Sequence, residues 1–204
     1  MISKIAFAIA LPFFVVGVTS AQFKLPTFDI ELKANQTLIP GEGRSNGELM
    51  YLETTNFYGA VHLQLGQRIG IGVFYSKSFR GKEAVSYGDG EADQQWDALT
   101  AMQGVDLRFS AGRARKWRPY LSLVAGQLEV VEANESYRLG AKSAVYGFNL
   151  GLMRRLGNKL YLNVIEIGAK YINDKMFWFD DQGPGGYPMI EAKMGLTYNI
   201  GRKK

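Results

Sequence analysis

The stretch Met189-Ile190-Glu191-Ala192-Lys193-Met194-Gly195-Leu196-Thr197-Tyr198-Asn199-Ile200 alternates one residue at a time. Ile190, Ala192, Met194, Leu196, Tyr198 and Ile200 are apolar. Between them stand Glu191, Lys193, Gly195, Thr197 and Asn199. Successive side chains of a β-strand point to opposite faces, so the pattern predicts a strand with one greasy and one polar face.

Seven further segments keep this period of two. In the first, Phe28, Ile30, Leu32 and Ala34 oppose Asp29, Glu31, Lys33 and Asn35. In the second and third, Phe57, Val61, Leu63, Leu65, Ile69, Ile71, Val73 and Tyr75 oppose Tyr58, His62, Gln64, Gly70, Gly72 and Ser76. The fourth and fifth set Val105, Leu107, Phe109, Leu121, Leu123 and Ala125 against Asp106, Arg108, Ser110, Tyr120, Ser122 and Gly126. The sixth and seventh set Tyr146, Phe148, Leu150, Leu152, Ile165, Ile167, Ala169 and Tyr171 against Gly147, Asn149, Gly151, Glu166, Gly168 and Lys170. Asn163 breaks the pattern by falling on the apolar parity of the seventh. Connections alternate as well: short near 67–68, 111–119 and 154–159, long over about 38–54, 79–98, 128–142 and 172–188. The expectation is an all-β, eight-stranded antiparallel up-and-down barrel with both ends of the chain on the side of the short turns.

The N-terminus carries a separate signal. Lys4 precedes the apolar run from Ile5 to Val18, and Thr19-Ser20-Ala21 supplies small residues for cleavage. This predicts a signal peptide over 1–21 and a mature barrel domain over 22–204. No later segment has the long uncharged run of a membrane helix. A membrane protein made of the mature chain must therefore be a closed barrel, which alone besides a helix satisfies its backbone in lipid. With no Cys there are neither disulfides nor thiolate metal sites. The formal charge of +5 is scattered rather than gathered in one run, which argues against nucleic acid.

Charges and rings decide which face meets lipid. Asp29, Glu31, Lys33, Asp106, Arg108, Glu166, Lys170, Glu191 and Lys193 all share the polar parity. Lys or Arg facing lipid costs about 2–4 kcal/mol at the midplane, so these groups are expected inside as an ionic network. On the apolar parity, Phe28, Phe109, Tyr161 and Tyr198 lie near the short-turn ends, and Phe57, Tyr75, Tyr146 and Tyr171 near the opposite ends. Two aromatic girdles with aliphatic residues between them suit the two interfaces of a bilayer.

With its leader, Arg118-Pro119-Tyr120-Leu121 opening the fifth segment and Gly195-Leu196-Thr197-Tyr198-Asn199-Ile200-Gly201 closing the last, the chain resembles the small bacterial outer-membrane β-barrel proteins of the OmpA/OmpX, porin-family type. The resemblance covers essentially the whole mature chain. It implies an outer-membrane location in a Gram-negative cell envelope, with periplasmic termini and outer-membrane lipid as the surroundings. Where many members finish on Phe, this chain continues to Arg202-Lys203-Lys204.

Chemistry is scarce. An eight-stranded bore is just wide enough for side chains to fill it, so the ionic network reads as a plug ahead of an ion path. His62 is the only His, and Leu63-Gln64 offers it no local nucleophile, so a hydrogen-bonding role inside the barrel is expected. The acidic run Asp89-Gly90-Glu91-Ala92-Asp93 lacks a full calcium-loop pattern. Met176-Phe177-Trp178-Phe179 is an apolar cluster in a long loop, a candidate contact for an extracellular partner or for the outer leaflet. Asn35-Gln36-Thr37 and Asn134-Glu135-Ser136 match a glycosylation sequon by coincidence. Basic residues crowd the short-turn side: Arg113, Arg115, Lys116, Arg118, Arg154, Arg155, Lys159 and the Arg202-Lys203-Lys204 tail. No cofactor, metal or catalytic residue is expected. The readings that remain are a structural or surface-interaction protein, a small diffusion channel, a lipid-modifying enzyme built on His62, and a soluble barrel with its apolar face inward.

Overall fold

The computed structural model describes residues 27–42, 48–87, 94–111, 116–132, 142–173 and 186–201. The leader over 1–21, the acidic run 89–93, the cluster 176–179, the sequon at 134–136, Arg113, Arg115 and the basic tail lie outside the described residues. The strands are β1 (Thr27–Glu42), β2 (Glu48–Leu65), β3 (Ile69–Tyr87), β4 (Gln94–Asp97), β5 (Leu99–Ser110), β6 (Trp117–Glu132), β7 (Lys142–Arg155), β8 (Leu160–Asn173) and β9 (Gly186–Ile200).

Every neighbour in the sheet is antiparallel, and β1 pairs with both β2 and β9, so the sheet closes on itself. β4 and β5 both run along β3 and form one stave interrupted at Ala98, whose N–H donates to the Gly81 carbonyl at 3.3 Å. Eight staves result. Closure removes the free edge that an open sheet would expose. Phe28 pairs with Ile200, and both lie at the end of the barrel that holds the Gly66–Arg68 turn, where Gly66 takes φ 81°. A side chain rarely adopts that φ, which suits Gly to this tight hairpin.

The staves outrun the lengths read from sequence. A tilted strand crosses hydrocarbon in roughly 9–11 residues, yet β2 has 18 and β3 has 19. Much of the expected loops 38–54 and 79–98 is therefore paired strand that carries the wall beyond the apolar belt. The alternation supplies the register: Leu32, Phe57, Val73, Val105, Leu123, Leu150, Ile167 and Met194 are exposed on the outside. Between the aromatic levels no described outward side chain is charged.

One strand switches parity. In β8 the register slips between Asn163 and Glu166, leaving an extra residue opposite β9. Such a bulge turns the residues before it to the other face. Asn163 therefore points inward, which removes the blemish seen in the sequence. Tyr161 is corrected with it: expected in the outer girdle, it is buried with Tyr120 and Met153. Phe28, Phe109, Tyr198, Phe57, Tyr75 and Tyr146 are exposed, and Tyr171 is half-buried with its ring 5.4 Å from that of Tyr146. Asn35 and Thr37 are buried inside, so that sequon is closed to modification.

This arrangement makes a depth-dependent prediction. Leu150→Arg, in the middle of the belt, should lower folding stability in lipid vesicles by about 2–4 kcal/mol, while Gln103→Arg beside Tyr75 should cost at most about 1 kcal/mol. Urea titration of heat-modifiable gel mobility measures both. Equal effects would mean that the outer face is not in hydrocarbon.

Candidate functional site

The inside of the barrel is the candidate site. Alternation sends every second residue there, and nine of them are the charged residues singled out above. Asp29, Glu31, Lys33, Asp106, Arg108, Glu166, Lys170, Glu191 and Lys193 are all at least nine-tenths buried.

Glu31 stands at the centre. Arg108 grips it with two nitrogens, Nη2 at 3.0 Å from Oε2 and Nη1 on Oε1. Lys33 Nζ lies 2.6 Å from Glu31 Oε2 and 2.5 Å from Glu166 Oε2, so one ammonium bridges two carboxylates. Lys193 links Glu166 at 3.0 Å to Glu191 at 2.7 Å, and Lys170 closes the series on Glu191. Asn35 Nδ2 also donates to Glu191 at 3.0 Å. On the far side, Asp106 lies 3.8 Å from Arg108 and 2.7 Å from His62 Nε2. Charges alternate in sign from β8 through β9 and β1 to β5, where Asp106 meets the His62 ring of β2. Buried charges are tolerated only when paired in this way.

The network recruits residues that the sequence did not announce. Tyr120 donates its hydroxyl to Glu166, and its ring lies 4.4 Å beneath the Arg108 guanidinium. Lys193 sits 4.8 Å from the centre of the Tyr58 ring. Arg118, expected among the basic turn residues, is instead buried. Its Nη2 donates to Ser110 Oγ at 2.5 Å, and its Nη1 is 3.9 Å from Asp29. Asp29 also accepts from Gln64 at 2.6 Å and Asn199 at 2.5 Å. With Arg118 counted, five buried carboxylates face five buried cations among the described residues. Opposite the large side chains the wall is glycine. A Cβ at Gly72 would come within 2.3 Å of His62, and one at Gly151 within 2.2 Å of the Tyr120 ring.

Further from the tight turns, the described interior is largely apolar, with the small hydroxyl residues Thr54, Ser78, Thr100 and Ser143 buried among it. Ile39, Leu52, Leu128, Val130, Val145, Ile172 and Met189 pack into one buried cluster. Between this cluster and the charges, a void of about 10 Å³ beside Thr37, Asn56, Ser76 and Glu191 is about the size of one water molecule. His62 is enclosed, with Asp106 at Nε2 and Glu31 3.9 Å from Nδ1. Among the described residues no group of three His, Asp or Glu could hold a metal ion.

Solved structures share this architecture. OprG, an outer membrane protein of Pseudomonas aeruginosa, aligns over 88% of this chain and 98% of its own, with a TM-score of 0.61 and 14% identity. The fold is that of the eight-stranded outer-membrane barrels. Outer membrane protein AlkL in lipid bilayers aligns over 92% and 96%, with a TM-score of 0.53 and 13% identity. Neisserial surface protein A aligns over 86% and 97%, with a TM-score of 0.51 and 10% identity. Such low identities speak for the fold alone. Neither a protein-family model nor a curated protein sequence matches the chain.

The central pair can be tested by a double-mutant cycle. Glu31→Ala leaves Arg108 buried with a lost partner and should cost about 3–5 kcal/mol. Adding Arg108→Ala should cost clearly less than the sum of the single changes. Strict additivity, measured by urea unfolding in vesicles, would show that the two groups do not interact.

Proposed function

We propose that the chain is a bacterial outer-membrane protein with both termini in the periplasm, acting as a closed barrel without catalysis or steady conductance. It meets lipid through its wall and partner molecules through the end opposite the tight turns. The observation that carries this reading is the double closure of the bore. A charge network spans it, and an apolar cluster stands beyond that network. Ions crossing it would have to displace paired charges and then pass a constriction that repels water.

Location rests on the charge-free outer belt and on the fold shared with outer-membrane barrels. The absence of catalysis is an inference from His62. Its ring is enclosed between carboxylates on the inner side of the wall, away from any lipid substrate. The described turn end carries Arg68, Lys116, Arg154, Arg155 and Lys159, and Arg154 stacks 5.5 Å from the Trp117 ring. Basic groups at that level favour anionic headgroups and would help to set the depth of the barrel.

A small diffusion channel is the competing reading, and planar-bilayer recording of the purified protein separates the two. The expected record has no reproducible unitary step. Steady steps that scale with salt would establish the channel and overturn the closed barrel.

A further inference from the structure

The glycines inside the barrel are explained by crowding. Gly59 is not. It lies on the outer face of β2, and among the strand glycines whose surroundings are described it alone has room: an added Cβ would meet nothing closer than 3.9 Å. The missing side chain opens a groove of about 390 Å³ in the wall, lined by Ile30, Leu32, Val61, Val73 and Tyr75 beside Gly59. These residues lie within the apolar belt, so only hydrocarbon can fill the groove favourably.

Directly above the groove the wall changes character. Gly59 pairs with Tyr75, and two residues further Phe57 pairs with Lys77. Phe57 and Phe79 place their rings 4.5 Å apart at this rim. A register slip between Thr55 and Asn56 turns Arg80 outward after Lys77. Lys77 and Arg80 are exposed, and neither pairs with an acid among the described residues. Two cations at the aromatic level above an apolar slot match an anionic headgroup with its acyl chain.

We propose that β1, β2 and β3 form a binding site on the outer wall for an anionic, phosphate-bearing membrane lipid. Its acyl chain lies in the groove at Gly59, and its phosphate sits between Lys77 and Arg80. The site rests on the reading of the wall as membrane-embedded. No covalent step is involved.

Native mass spectrometry of the full chain released from nanodiscs tests the site. The nanodiscs contain equal parts phosphatidylglycerol and phosphatidylcholine. The expected result is a retained phosphatidylglycerol adduct in clear excess over phosphatidylcholine. Lys77→Gln and Arg80→Gln should each reduce that preference about fivefold. Gly59→Leu fills the groove from a position with open space around it. It should abolish the adduct while leaving heat-modifiable mobility unchanged. Equal retention of the two lipids, an adduct surviving Gly59→Leu, or a dimer of the chain in place of a lipid adduct would overturn the site. Vesicle flotation tells the two failures apart. A chain that does not insert overturns the membrane reading together with the site, whereas an inserted chain without lipid preference overturns the site alone.

Discussion

The grip of Arg108 on Glu31 crosses the barrel from β5 to β1, with β2 and β3 lying between them. Neither group has water to fall back on, so each depends on the other and on the neighbours that share its charge. Lys33 shares Oε2 of Glu31 with Arg108 and passes the link to Glu166, and Lys193 carries it to Glu191. Leaving any one of them unpaired would cost several kcal/mol, a large share of the stability of an ordinary domain. The staves are therefore held by hydrogen-bonded ladders around the circumference and by ion pairs within the bore. No disulfide contributes, because the chain contains no Cys.

This constraint orders the rest of the molecule. Charges must face inward, so the other side of each strand must be the one that tolerates hydrocarbon. Large inward groups need space in a narrow bore, and that space comes from glycines such as Gly72 and Gly151 on neighbouring staves. Past the network, Ile39, Leu52, Val130 and Ile172 pack into one apolar cluster among the described residues. The outcome inverts a soluble protein at its wall and resembles one at its far end.

Much of this was legible as alternation. A residue's face follows from its parity, and parity survives wherever the ladder is regular. That is why the nine inward charges could be named from sequence and why β9 announced itself. The bulge in β8 defeats this logic, because a single extra residue reverses the face of everything before it and carries no distinctive sequence. Parity alone puts Tyr161 on the outer face for that reason, although Asn163 on the apolar parity marks the strand as irregular. Arg118 is illegible as an interior residue because a basic side chain beside Pro119, near a turn, looks like headgroup chemistry, whereas pairing places it opposite Met153 on an inward position. The ends of the long strands were illegible because beyond the bilayer both faces meet water or protein, and hydrophobic alternation fades there while backbone pairing continues. The groove at Gly59 is a property of three strands in register, and no single strand shows it.

On this reading the apolar face of each strand touches hydrocarbon while its polar face is sealed within. The absence of Cys allows single cysteines at positions 121 to 125 of β6, in place of Leu121, Ser122, Leu123, Val124 and Ala125. In lipid vesicles, nitroxide labels at 121, 123 and 125 should collide freely with oxygen and hardly at all with a water-soluble nickel complex, while cysteines at 122 and 124 should resist labelling in the folded protein. Nickel collision as strong at 121, 123 and 125 as for a label in free solution, or ready labelling at 122 and 124, would show that the apolar face is not in hydrocarbon or the polar face is not sealed.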